Sequence, residues 1–258
     1  MKIRIKFQKY GAMKFIGHLD MMRYFQKVMR RADIDIKYSE GFSPHQIMSF
    51  AAPLGVGVTS AGEYLDIEVH STRSSEEALK ALNEVMVEGV HVSQYRRLPE
   101  GTKNAMSSVA AADYTVHFKD PSANPFTLST LREALQVFLE GQDQILVTKE
   151  TKKGERQMDL KPLIFRLTAI DRPVQEDSPA EFALTGESPG FFLQLNTGSS
   201  DNVKPELVLE AFFGWCRERG ICDIPYVPSA MQIHRLEVYG RREDGTLIPL
   251  GDFGQEIL

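Results

Sequence analysis

The chain has little cysteine and no long apolar run, and each shortage removes a class of function. Cys216 and Cys222 are its only two cysteines and stand six apart. That spacing suits neither a disulfide framework nor a zinc site with short ligand gaps, so both read as core thiols. An iron–sulfur cluster usually takes three or four thiolates, so none is expected on this chain. No stretch approaches the roughly 18 apolar residues of a membrane span. The opening MKIRIKFQKYG alternates charged and apolar residues where a secretion signal would carry an apolar block, so a cytoplasmic protein without membrane attachment is expected. There is no GxSxG elbow, no HExxH and no phosphate-binding P-loop, and the glycine-rich GVGVTSAGEY (Gly55 to Tyr64) lacks the GxGxxG spacing. No metal-ligand set is read either, and a self-sufficient common hydrolase or NTPase is not expected.

What is present is an ordinary globular composition, 42% hydrophobic and 25% charged, with a formal net charge of −5. The charge is polarised. Residues 1–50 carry ten Lys/Arg against four Asp/Glu, a balance of +6, which leaves −11 for the other 208 residues.

Hydrophobic period and turn chemistry give the element order. Lys2 to Phe7 alternates as a strand, and Gly11 breaks it before a helix from about His18 to Ala32. Leu19, Met22, Phe25, Met29 and Ala32 are its expected buried stripe, with Arg23, Lys27, Arg30 and Arg31 on the other side. IDIKYS and IMSFAAPL read as strands around a Gly41 to His45 turn, followed by a Gly55 to Gly62 loop and the alternating EYLDIEVH. Ser74 and Glu77 form a capping box for a helix ending near Val87, and VHVSQYRRL returns as a strand. The small, polar Pro99 to Ala112 stretch reads as a crossing between domains. Beyond it come YTVHF, a helix capped by Thr130 and Glu133 and running through Glu140, strands ILVTKE and LIFRLTAI around the KKGERQ turn, and strands FALT and FFLQLN. A helix from Pro205 to about Arg219 and the strand IHRLEVYG close the unit, and a polar tail from Arg241 is expected to be poorly ordered. The expected fold is α+β: two tandem ferredoxin-like (split βαβ) halves with antiparallel sheets, residues 1–108 and 109–258.

Candidate chemistry gathers in the first half. His18, at the mouth of the first helix beside Asp20, reads as a proton carrier or an anion contact, or as a helix cap. GFSPH (Gly41 to His45), with Ser43 and His45 on a turn stiffened by Pro44, reads as a concavity for an anion or as a plain hairpin turn. Arg23, Lys27, Arg30 and Arg31, with Lys2, Arg4, Lys6 and Lys14 near in sequence, read as a cationic surface for phosphates or as a solvated face. Tyr10, Phe15, Tyr24, Tyr38 and Phe42 supply possible stacking surfaces for bases. Glu63 and Asp66, three apart on a strand, point to opposite faces and make a poor carboxylate pair. Asp159, Lys161 and Arg166, after a polar turn, read as lining for a groove between the halves or as structural charge pairing.

The run from KYGAMKFIGHLDMMRYFQ through GFSPHQIMSFAAPLGVGVTSAGEYLDIEV, together with MDLKPLI, KPELVLEAF and IHRLEVYG, resembles the radical SAM-linked bacterial family of unknown function. Gly17, His18, Leu19 and Asp20, and Ser39, Gly41, Phe42, Pro44 and His45, match its motif positions, with no catalytic role attached to them. The resemblance implies a separate radical SAM protein as partner, and work on RNA. The iron–sulfur cluster and S-adenosylmethionine are then expected on the partner only. The leading expectation is an accessory, non-catalytic subunit that presents tRNA or rRNA to that partner, with Arg23, Lys27, Arg30 and Arg31 on phosphates and His18, Ser39 and His45 orienting a nucleotide. The rivals are a metal-independent RNA endonuclease with His18 or His45 as general acid or base, and a protein-interaction module that binds no nucleic acid.

Overall fold

The computed structural model describes residues 1–151, 154–171, 188–198 and 201–258. It is a mixed α+β chain that divides into two compact units, Met1–Ala110 with Arg235–Leu258, and Ala111–His234. No helix among the described residues is long and apolar enough to cross a membrane.

The first unit contains β1 (Lys2–Lys9), α1 (His18–Arg31), β2 (Met48–Phe50), β3 (Thr59–Glu68), α2 (Ser75–Glu84), β4 (Val90–Arg97) and the one-turn α3 (Ala105–Ser108). Its strand order is β4-β1-β3, with β2 beside β3, and the β1–β3, β1–β4 and β2–β3 pairs are antiparallel. The alternation of Lys2 to Phe7 puts Ile3, Ile5 and Phe7 inside, where they meet Met21, Phe25, Val28 and Met29 of α1 and Ala78 and Leu82 of α2. The α1 stripe therefore runs through Met21, Phe25, Val28, Met29 and Ala32. Leu19, expected within it, is 62% exposed, because at four and eight residues before Arg23 and Lys27 it falls on the same solvent-facing side of the helix. IDIKYS is not a strand: Ile36 bridges Val69 and Tyr38 bridges Gln46 as isolated pairs. β3 instead begins inside the stretch expected to be a loop. The Ser74–Glu77 capping box forms as expected, with Glu77 N donating to Ser74 Oγ and Ser74 N to the Glu77 carboxylate.

The second unit contains most of β5 (Val109–Phe118), then α4 (Leu128–Glu140), β6 (Leu146–Thr151), β7 (Gly154–Asp159), β8 (Ile164–Ile170), β9 (Gly190–Asn196), α5 (Pro205–Glu218) and the first residues of β10 (Met231–Arg241). The order is β10-β5-β9-β8, while β6 and β7 form a two-stranded sheet of their own. ILVTKE thus pairs across the KKGERQ turn and not with LIFRLTAI, whose neighbour is β9. Lys152 and Lys153 of that turn, and the expected strand FALT (Phe182 to Thr185), lie outside the described residues. α4 starts a turn earlier than expected because Thr127 and Thr130 cap each other, with Thr130 N on Thr127 Oγ1 and Thr127 N on Thr130 Oγ1. Pro205 occupies the first turn of α5, where its missing N–H costs nothing. Aromatic side chains fill this core, Phe126, Phe138, Phe191, Phe212 and Phe213 among them. Cys216 is fully buried, and burial together with the neighbouring Cys222 pushes its thiol up to about 12.

The chain beyond β10 corrects two expectations, a poorly ordered tail and its place in the second half. Arg235–Leu258 groups with the first unit, where β11 (Leu247–Pro249) pairs with β10 and Leu250 is fully buried. Arg97 exchanges two backbone hydrogen bonds with Gln255, and Ile257 does the same with the backbone and hydroxyl of Ser75. A polar composition hid these ties because most are made by the main chain, which carries the same groups in every residue.

Candidate nucleic-acid interface

Three cations of the first strand turn inward. Arg4 is 1% exposed and forms a two-pronged pair with Asp66, Nε to Oδ1 at 2.8 Å and Nη2 to Oδ2 at 2.9 Å; Ala105 N also donates to Asp66 at 2.7 Å. Lys6 meets Glu237 at 2.6 Å, and buried Lys9 donates to Ile16 O at 2.7 Å. Burial holds the Lys9 ammonium below the usual lysine range, an effect offset in part by the Glu63 carboxylate. Glu63 in turn grips Arg235 at 2.6 to 2.8 Å. Glu63 and Asp66 do face opposite sides of β3, each with its own arginine. The expected cationic surface therefore loses Arg4 and Lys6 to internal pairs, and Lys2 spends its ammonium on Thr102 O.

The surface cations that remain lie on α1. Arg23, Lys27, Arg30 and Arg31 are all exposed and follow one another at helical spacing, so they form a single stripe opposite the buried one. Arg23 pairs with Asp20 at 3.1 Å, in solvent where such a pair is worth little. Among the described residues Lys27, Arg30 and Arg31 have no ion-pair partner. Lys14 sits 5.4 Å from the ring of Phe15, which is 63% exposed.

The Gly41 to His45 turn is tied shut at its base. Ser39 N donates to His45 O at 2.8 Å, His45 N to Ser39 Oγ at 3.1 Å, and Ser39 Oγ lies 2.8 Å from His45 Nδ1. Gly41 has φ of 113°, a left-handed value that favours glycine, and it allows the turn to hold Phe42 entirely in solvent beside exposed Ser43 and Pro44. Gln46 fastens this turn to the basic helix: its Nε2 donates to Gln26 O of α1 at 3.2 Å and to the Tyr38 hydroxyl at 3.3 Å. Ser39, Gly41, Ser43 and His45 thus share one neighbourhood with the α1 stripe.

His18 stands apart. Its ring meets Phe50 edge-on at 5.2 Å and lines a cavity of about 20 Å³ with Lys9, Met21, Glu63 and Leu54, which is room for one water. A larger hollow of about 610 Å³ opens at the C-terminal end of α1. Arg30 and Tyr38 line it with Asp33, Asp35, Ser71, Thr72, Arg73 and Tyr95. Sequence reasoning missed the last six. The signal present in the chain was the polar STRS run directly after an alternating strand, where side chains at a sheet's end meet a helix end. Of the expected stacking aromatics, Tyr24 is half-buried with its hydroxyl accepting from Val87 N, so burial raises its pKa. In the second unit Asp159 accepts from Ile145 N and Lys161 N, Lys161 reaches Gln142 O, and Arg166 stacks over Phe192 at 5.1 Å, all structural roles.

Fold and surface together define a two-unit α+β protein with a solvent-facing basic helix, an aromatic-tipped turn fastened to it and a polar hollow at the helix end. The chain belongs to the family described as an uncharacterized protein conserved in bacteria (DUF2344), whose model matches residues 2–205. No curated protein matches it.

Proposed function

We propose that this chain binds RNA, tRNA or rRNA, as an accessory subunit that presents it to a radical SAM enzyme in the cytoplasm. The observation that carries the reading is the exposed cationic stripe of α1, whose Lys27, Arg30 and Arg31 have no ion-pair partner among the described residues, on the helix to which Gln46 fastens the turn that carries the fully exposed Phe42. Exposed cations neutralise phosphates and an exposed ring stacks a base, the combination by which single strands are gripped. The radical SAM partner, with its iron–sulfur cluster and S-adenosylmethionine, rests on the sequence resemblance. The strand orders β4-β1-β3-β2 and β10-β5-β9-β8, each with two helical crossings, support reading the units as two ferredoxin-like halves.

Fluorescence anisotropy with bulk tRNA and with an rRNA fragment tests the proposal. Binding is expected to weaken by about tenfold or more between about 50 and 200 mM salt, and Lys27→Ala with Arg31→Ala is expected to flatten the salt slope by about one to two. Phe42→Ala is expected to cost about 1–3 kcal/mol of binding at every salt, since stacking is not screened. No binding at low salt, with and without the partner, ends the reading. A second reading, a metal-independent endonuclease with His45 as general acid or base, is favoured by the 2.8 Å contact of Ser39 Oγ with His45 Nδ1, which orients the ring. RNA cleavage in EDTA that is lost in His45→Ala would select it. Co-purification of a protein partner with no nucleic acid would select an interaction module instead.

A further inference from the structure

The hollow at the end of α1 has the size of a small-molecule site, about 610 Å³ where ligand pockets span roughly 300–1,000 Å³. It lies entirely in the first unit. Its charges are balanced, two guanidinium groups from Arg30 and Arg73 against two carboxylates from Asp33 and Asp35, so it is not a plain anion trap. Its fitting ligand has an anionic end and an uncharged end rich in hydroxyl groups. Arg73 is already fixed, with Nη2 donating to Asp33 O at 3.0 Å and to Ala32 O at 3.4 Å. That position compensates the negative end of the helix and leaves the other guanidinium N–H groups for a ligand.

Asp35 is fixed as well. Its Oδ2 accepts from Ser71 N at 3.1 Å and Ser71 Oγ at 2.7 Å, and these bonds keep the carboxylate ionised below its usual range. Its Oδ1 has no protein partner among the described residues, so it is left as an acceptor. Thr72 Oγ1 and the Tyr95 hydroxyl hold each other at 2.9 Å at the floor. Tyr38, 48% exposed, offers the one accessible aromatic ring of the lining, and its hydroxyl is steadied by Gln46.

We propose that this hollow is a recognition pocket for a ribonucleoside 5′-monophosphate unit. Arg30 and Arg73 take the phosphate, Asp35 accepts from the ribose 2′-hydroxyl, and the Tyr38 ring stacks on the base. The proposal rests on the RNA-binding reading for its biological setting: Arg30 belongs both to the basic stripe and to the pocket, so a strand lying along α1 delivers a terminal or extruded nucleotide into it. A free mononucleotide offers the same chemistry.

The test titrates the full chain with AMP, CMP, GMP and UMP, with their 2′-deoxy counterparts and with inorganic phosphate, by calorimetry and saturation-transfer NMR. Ribonucleotides are expected to bind about tenfold or more tighter than phosphate, and about tenfold or more tighter than deoxynucleotides, the value of one lost hydrogen bond to a charged group. Arg73→Met is expected to lower ribonucleotide affinity about tenfold. Asp35→Asn, which keeps the side chain's shape, is expected to erase the ribose preference while retaining binding, a result that misfolding would not produce. If Arg73→Met and Tyr38→Ala also weaken RNA binding, the pocket serves RNA; if they weaken mononucleotide binding only, it serves a free ligand, and both outcomes keep the pocket. Nucleotides that bind no better than phosphate, or that bind equally well to the three variants, overturn it. RNA bound in a salt-dependent way with no nucleotide binding sinks the pocket and leaves the RNA reading standing; nucleotide binding without RNA binding does the reverse.

Discussion

The Arg4 guanidinium and the Asp66 carboxylate meet at 2.8 and 2.9 Å with side chains 1% and 4% exposed, so each is the other's charge partner in place of water. Desolvation of the two ions consumes much of the Coulomb attraction, and the pair is therefore poor evidence of net stabilisation. Breaking it is another matter. Asp66→Ala strands a buried guanidinium and leaves Ala105 N without its acceptor, which is expected to cost about 3–5 kcal/mol in urea unfolding. The double variant Arg4→Met with Asp66→Leu, which removes both charges, is expected to lose much less. A loss as large as that of the single variant would refute this account. Solvent-facing residues behave differently: Phe42 buries nothing, so Phe42→Ala is expected to leave the unfolding midpoint unchanged while its effect appears in RNA binding.

Among the elements, β3 is held to its neighbours by close approach as well as by hydrogen bonds. Gly62 has no room for a side chain, because a Cβ placed there would lie 2.6 Å from Glu237 Cα and 2.7 Å from Leu236 O. Those atoms are backbone and cannot swing aside. Gly62→Ala is expected to force β10 away from β3 and to cost about 1–3 kcal/mol, with Gly57→Ala, where nothing lies within 4 Å, losing stability only through its φ of 87°. Thermal unfolding that ranks Gly57→Ala below Gly62→Ala in stability would contradict the packing argument. The basic helix works by the opposite logic, since its like charges at helical spacing repel one another and are tolerated in solvent.

Taken as a whole, the molecule carries a pH sensitivity in its second unit. His117 and His234 are buried, and desolvation holds each imidazole down to about 4, with the His117 ring adding to the effect on His234. His117 Nε2 has no hydrogen-bond partner among the described residues, and Gly190 packs so closely that a Cβ would lie 2.2 Å from the ring. Both rings stay neutral when folded and take up a proton when unfolded, at about 6.5. Stability is therefore full above neutral pH, falls as pH drops from about 6.5 towards about 4, and levels off for these groups below that. The loss is expected to reach at most roughly 3 kcal/mol per ring. Urea melts at pH 7, 5.5 and 4.5 measure it, and His117→Phe is expected to flatten the slope; an unchanged slope rules His117 out as its source.

Local rules settled what depends on a few adjacent residues. The alternation of Ile3, Ile5 and Phe7, the Ser74–Glu77 box, the proline opening α5 and the glycine-dependent turn at Gly41 were legible because a strand's period, a cap and a turn are decided within one or two turns of chain. Tertiary structure alone decided which charges face water. Arg4, Lys6 and Lys9 look like Arg30 and Arg31 in sequence, yet Glu237, 231 residues away, takes Lys6, and Arg4 finds Asp66 directly opposite on β3. The same holds for the hollow, assembled from Arg30, the residues just after α1, and Ser71 to Arg73 at the end of another strand, and for the polar last residues, which the first unit captures through backbone hydrogen bonds. Burial and long-range pairing are properties of surfaces brought together by the fold, and no window of adjacent residues contains them.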